Sequence, residues 1–164
     1  MSALSGEWQK HVLASIGYRE LGMFDYAVLA LEAIEPQDKN RNEVLAARLD
    51  IYLAARKWDL AATAAQLLVK AEPENQAAWI NHAYSVRRSR SIEQAEAILL
   101  RARELHPRNA LIAFNLACYA SVAGRMEEAK VRLRHAIELD KAIRRLALDD
   151  DDLKPLWGWI TSLD

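Results

Sequence analysis

The sequence predicts an all-α fold of four helical hairpins stacked in one domain and closed by a C-terminal helix. Three observations carry this. Alanine recurs every 34 residues, at Ala27, Ala61, Ala95 and Ala129, a period that marks stacked supersecondary units. Three residues before each alanine stands an apolar side chain: Phe24, Trp58, Ile92 and Met126. Only five glycines and four prolines interrupt 164 residues rich in alanine and leucine, a composition that favours helix.

Counted from Trp8, Asn42, Gln76 and Ala110, the repeats span about 8–41, 42–75, 76–109 and 110–141. Position 8 holds Ser15, Leu49, Ala83 and Ala117, and position 11 holds Tyr18, Tyr52, Val86 and Ala120. Position 24 holds Leu31, Ala65, Leu99 and Leu133, and position 27 holds Ile34, Leu68, Ala102 and Ala136. Pro73 and Pro107 share position 32, where one helix must end before the next begins. The first helix of each repeat is expected over positions 1–14 and the second over 15–31. In the first repeat Pro36 arrives about one turn early, so PQDKNR is expected to be a longer connection. Small residues at positions 8 and 20 let paired helices approach closely.

This spacing of small, large, alanine and proline positions resembles the tetratricopeptide repeat. The segment WINHAYSVRRSRSIEQAEAILLRARELHP matches best; FNLACYASVAGRMEEAKVRLRHAIELD follows it, with Lys141 in place of proline. Repeat two carries Arg48 where a large apolar residue is usual, and repeat one is the loosest copy. The resemblance covers about residues 8–141 and implies a right-handed superhelix of helix pairs. One hairpin leaves an apolar face that its neighbour must cover. The tail from residue 142 to 164 is therefore expected to close the stack through Leu146, Leu148, Leu153, Leu156, Trp157 and Ile160. Followed by LALDDDDLKPLW, the fourth repeat also resembles the end of small stand-alone bacterial members of the family.

Bulk properties narrow the function. Net charge is −1, with 22 basic and 23 acidic residues, which provides no field toward nucleic acid or membrane. No apolar run reaches membrane-spanning length, and the start, MSALSGEWQKH, lacks the pattern of a secretory leader. A single cysteine, Cys118, excludes an internal disulfide and fits a reducing cytoplasm.

No catalytic motif is present: there is no glycine-rich phosphate loop, HExxH, CxxC or GxSxG. His11, His82, His106 and His135 fall in different phases of the repeats and are read as structural or surface residues. The run Asp149–Asp152 fails the register of a calcium loop, because Lys154 and Ile160 stand where glycine and glutamate are needed. It is read as a helix cap. Cys118, among Ala117, Tyr119 and Ala120, is read as structural. No cofactor or metal and no enzymatic activity are expected.

The resemblance implies that positions 2, 5, 6, 9, 12 and 13 of each first helix face a concave groove. In this sequence the residues singled out are Asp50, Ile80, Asn81, Tyr84, Arg87, Arg88, Phe114 and Asn115. Asn81 and Asn115 share position 6; an amide donates and accepts, and so reads any peptide bond. Tyr84 and Phe114 would hold side chains, and Arg87 or Arg88 an acidic group. Val12, Ile16 and Ala47 replace the lysines and asparagines that relatives use to clamp a C-terminal carboxylate. The implied function is a protein-binding adaptor. The alternatives are a secretion-type chaperone and a module that self-associates as a weak dimer through the end carrying Trp8.

Overall fold

The computed structural model describes residues 6–163. Among them, secondary structure is entirely helical. Internal contacts gather into two compact units, residues 1–89 and 90–164, with the boundary after the first helix of the third sequence repeat.

The first unit contains α1 (Glu7–Glu20), α2 (Phe24–Glu32), α3 (Asn42–Ala54), α4 (Trp58–Ala71) and α5 (Gln76–Ser89). The second contains α6 (Ile92–Leu105), α7 (Ala110–Val122), α8 (Met126–Leu139) and α9 (Ile143–Leu148), then a 3₁₀ turn (Asp151–Leu156) and α10 (Trp157–Thr161). Helix starts and ends follow the repeat register to within two residues, except in α2. That helix stops at Glu32, and the chain passes through a series of turns from Glu35 to Arg41. Pro36 is the reason: it forces the preceding residue out of helical geometry, and its ring would clash with the carbonyl four residues earlier.

Three of the four turns inside the hairpins share one device. After α1 the Met23 amide bonds the Tyr18 carbonyl and the Gly22 amide bonds that of Arg19. The same pair of bonds recurs after α3 (Lys57 to Tyr52, Arg56 to Leu53) and after α7 (Arg125 to Ala120, Gly124 to Ser121). This is the Schellman cap, which needs a left-handed residue at its apex. Gly22 (φ 71°) and Gly124 (φ 78°) supply it freely, whereas Arg56 adopts φ 55° at the same repeat position and carries the strain of a side chain there. Helix starts have their own signal. Asn75 and Asn109, one period apart, accept the amides of Ala78 (3.1 Å) and Ile112 (2.9 Å), and Ser91 accepts that of Gln94 (3.2 Å).

The alanines at position 20 are all fully buried, as the close helix crossing requires. In the first unit, Ala27, Leu31, Ile34, Val44, Ala47 and Ile51 form one core cluster, and Trp8 and Val12 pack against it. Trp8 is thus half-buried, with the Arg41 guanidinium 4.9 Å from its ring centre. In the second unit Leu99, Leu116 and Leu133 are fully buried, each contributing about 1.5–3 kcal/mol relative to exposure.

The tail closes onto the second unit through a partly different residue set. Leu153, Leu156 and Ile160 are buried as expected; Leu146 is 46% exposed, and Ile143 and Ala147 are buried in its stead. The reason is phase. In the short helix α9, positions 143 and 147 share the inward face, and 146 falls outside it.

Candidate functional site

Six of the eight groove residues expected from sequence lie in the first unit. Asp50 on α3 and Asn81 on α5 line a recess of about 120 Å³, whose remaining wall is mainly aliphatic: Ala46, Leu49, Leu68 and Ala77. Arg19 of α1 reaches Asp50 with one hydrogen bond, Nη1 to Oδ2 at 3.2 Å. The Asp50 side chain is 51% exposed, yet the desolvation of its covered part pushes the carboxyl above its usual range, and the attraction of Arg19 offsets this only in part. The Asn81 carbonyl oxygen of the main chain accepts from Ser85 (2.7 Å). Its side-chain amide makes no hydrogen bond among the described residues.

One turn along α5, Tyr84 is 42% exposed and meets Trp58 edge-on, with ring centres 5.6 Å apart at 85°. The Arg88 guanidinium lies 5.2 Å from the Trp58 ring centre, a cation–π arrangement. Trp58 was read from sequence only as a packing residue. The structure makes it the support that orients Tyr84 and Arg88. Ile80 and Arg87 are half-buried beside this cluster in sequence.

The two residues from the second unit are arranged differently. Phe114, expected to hold a partner's side chain, is 5% exposed and belongs to the protein's own interior. Cys118 and Ser121, which were also expected to face the groove, are buried too. The Ser121 hydroxyl donates to the Asp152 carbonyl at 2.7 Å, so the tail sits on this face of α7. The physical reason is that α7, ALIAFNLACYASV, is apolar nearly all round, and such a helix must be covered on every side. Asn115 remains half-buried, and its amide turns back to donate to the Leu111 carbonyl of its own helix (2.8 Å). Asn81 and Asn115 are therefore alike in sequence phase but not in bonding.

Folding also gathers Cys118, Asp150 and Asp152, whose potential ligand atoms lie within 4.8 Å of one another. The sequence reading kept these residues apart. Asp150 serves there as the cap of the 3₁₀ turn, accepting the Asp152 amide at 2.9 Å, so the expected capping role is met at that residue. Three larger open hollows exist in the first unit, the smallest, of about 160 Å³, beside Arg48, Tyr52 and Leu60. Another, of about 310 Å³, adjoins Met23 and Tyr26, and its charged residues Asp25 and Lys57 pair with each other. The largest, of about 360 Å³, lies by Leu45 and Leu67 and also holds Asn40 and Lys70. The Asp50–Asn81 recess differs from all three in setting a carboxylate beside an amide, each contributed by the first helix of a repeat.

No protein-family model matches the chain, and no curated protein sequence matches it. Solved structures do. The chain is similar to MamA 41-end from Desulfovibrio magneticus RS-1, at 16% identity and TM-score 0.72, covering 97% of this chain and 94% of that one. It is also similar to a crystal structure of MamA, at 18% identity and TM-score 0.71 over 89% of each chain. A MamA RS-1 double mutant aligns at 15% identity and TM-score 0.73, covering 84% of this chain and 78% of that one. At these identities the likeness is one of fold: an all-α protein built from repeated helix pairs. Among the described residues, no helix is long and apolar enough to cross a membrane.

Proposed function

We propose that the chain is a tetratricopeptide-type adaptor, cytoplasmic and non-enzymatic, that binds a segment of another protein along the α3–α5 face. The recess between Asp50 and Asn81 carries this reading. It sets an amide with no protein partner among the described residues beside a half-exposed carboxylate held by one hydrogen bond, among aliphatic side chains, and polar groups left open in this way are what a partner's main chain and side chains complete. The adjoining Tyr84, Trp58 and Arg88 are of the residue types that dominate binding hot spots, and their mutual contacts hold them in place before any partner arrives. A prebuilt receptor of this kind loses little freedom on binding.

The test is selection of displayed twelve-residue peptides on the full chain. The expected result is a related set of peptides whose affinity falls about tenfold or more with Asn81→Ala, as loss of a buried hydrogen bond requires, while helicity is unchanged. Selection that enriches nothing, or peptides that bind the variant equally well, would overturn the reading.

A further inference from the structure

We propose that the Asp50–Asn81 recess is the subsite for one basic side chain, lysine or arginine, of the bound segment. This rests on the adaptor reading above and specifies what the recess selects.

Shape comes first. The lining divides into aliphatic side chains, among them Ala46, Leu49, Leu68 and Ala77, and polar ones, Asp50 and Asn81. A long cationic side chain divides in the same way, an apolar stem ending in a donor head. The third polar residue at the recess, Asn75, is already used on both sides. Its oxygen accepts the Ala78 amide at 3.1 Å, and its nitrogen donates to Glu72 at 2.9 Å. What remains open is a carboxylate and an amide whose oxygen can be turned inward, which are acceptors matched to an ammonium or a guanidinium.

Charge decides the sign. Arg19 engages one Asp50 oxygen through a single bond, and Oδ1 has no hydrogen-bond partner among the described residues. The carboxyl still sits above its ordinary range, because burial outweighs the attraction of Arg19. A second cation relieves that imbalance. An acidic side chain would meet like charge, and an aliphatic one would strip water from the carboxylate without replacing its bonds. Arg19 itself, arriving from α1, shows that a guanidinium can reach this carboxylate.

Two measurements test the proposal. In the first, the full ¹⁵N-labelled chain is titrated with n-butylammonium, with 1-pentanol and butyrate as controls, following the Asn81 side-chain amide. Saturable shifts are expected with butylammonium only. They should weaken about tenfold or more in Asp50→Asn, which removes the charge at constant shape. They should strengthen in Arg19→Met, which removes the internal competitor; a merely structural role for Asp50 does not produce that gain. Equal shifts with pentanol, or none with butylammonium, overturn the proposal. In the second, peptides selected on the wild type are compared with those selected on Asp50→Asn. A basic residue at one fixed position in the wild-type set only is the expected result. Peptides that depend on Asn81 but carry no such residue leave the adaptor reading standing and end this one. If selection enriches nothing, the adaptor reading fails, and the butylammonium titration decides the recess by itself.

Discussion

Replacing Glu96 by glutamine probes the densest charge network in the second unit. The Glu96 carboxylate, with its side chain 13% exposed, receives Arg125 Nη2 and Arg132 Nη1, each at 2.6 Å. Arg132 is 12% exposed, also bonds Glu128, and donates to the Leu116 carbonyl at 3.0 Å. The bridge therefore ties α6 to α8 and to the backbone of α7. Removing one partner of a buried pair costs about 3–5 kcal/mol, because the other charge is left without compensation. Two features reduce that here: Arg125 is 41% exposed and Arg132 keeps Glu128. The expected loss is about 2–3 kcal/mol, a fall in melting temperature of about 5–10 °C at this chain length. Urea titration followed by far-ultraviolet circular dichroism measures it. Burial pushes the Glu96 carboxyl upward, but the hydrogen bonds and charges of Arg125 and Arg132 together outweigh this and hold it below its usual range. A carboxylate lowered on folding contributes stability above its unfolded value and loses it as pH falls through the lowered one. The difference between wild type and Glu96→Gln should accordingly shrink on acidification below the ordinary glutamate range. Glu7→Gln, at a pair whose side chains are 65% and 74% exposed, serves as the control and should leave the melt unchanged. A Glu96→Gln variant as stable as wild type at neutral pH would refute the reasoning.

Three further outcomes follow from the same structure. Arg56→Gly should stabilise the protein by about 0.5–1 kcal/mol by relieving the left-handed backbone, and Gly124→Ala should cost about 1 kcal/mol, since an added Cβ would meet open space and only the φ of 78° opposes it; paired urea titrations of the two variants decide this. Ser121→Ala removes the 2.7 Å bond that seats the tail on α7 and should cost about 1–2 kcal/mol, with faster amide hydrogen exchange from residue 143 onward and little change in α7 itself. Asp50 has a carboxyl raised by burial, so its folded form binds its proton more tightly and stability is lost as pH rises through the raised value. Asp50→Asn should therefore melt no lower than wild type at pH 7, and its pH–stability curve should lose that decline; a clear drop at pH 7 would mean that the Arg19 bond outweighs burial.

Much of the architecture was legible because it depends on periodic local chemistry. The 34-residue spacing of Ala27, Ala61, Ala95 and Ala129 placed eight helices, and Pro36 announced the short α2. Two further signals were there to be read: the asparagine caps Asn75 and Asn109, and glycine at Gly22 and Gly124, both tied to the backbone needs of one residue. Asp50 and Asn81 could be placed on first helices by phase, and so could Tyr84 and Arg88. What phase could not reveal was which of two equivalent positions stays open. Asn81 and Asn115 are indistinguishable by register, yet one amide is unengaged and the other bonds its own helix. Phe114 sits at the same position as Ile80 but is buried.

By itself, then, the sequence determined the helices, their turns and the repeat, because each depends on contacts within a few residues or at a fixed period. Only the tertiary structure decided the site. The tail covers Ser121 from 31 residues away, Arg19 reaches Asp50 across another 31, and Trp58 turns Tyr84 and Arg88 into one cluster. Those contacts depend on how finished helices pack, and packing brings together residues that share neither a neighbourhood nor a period in the chain.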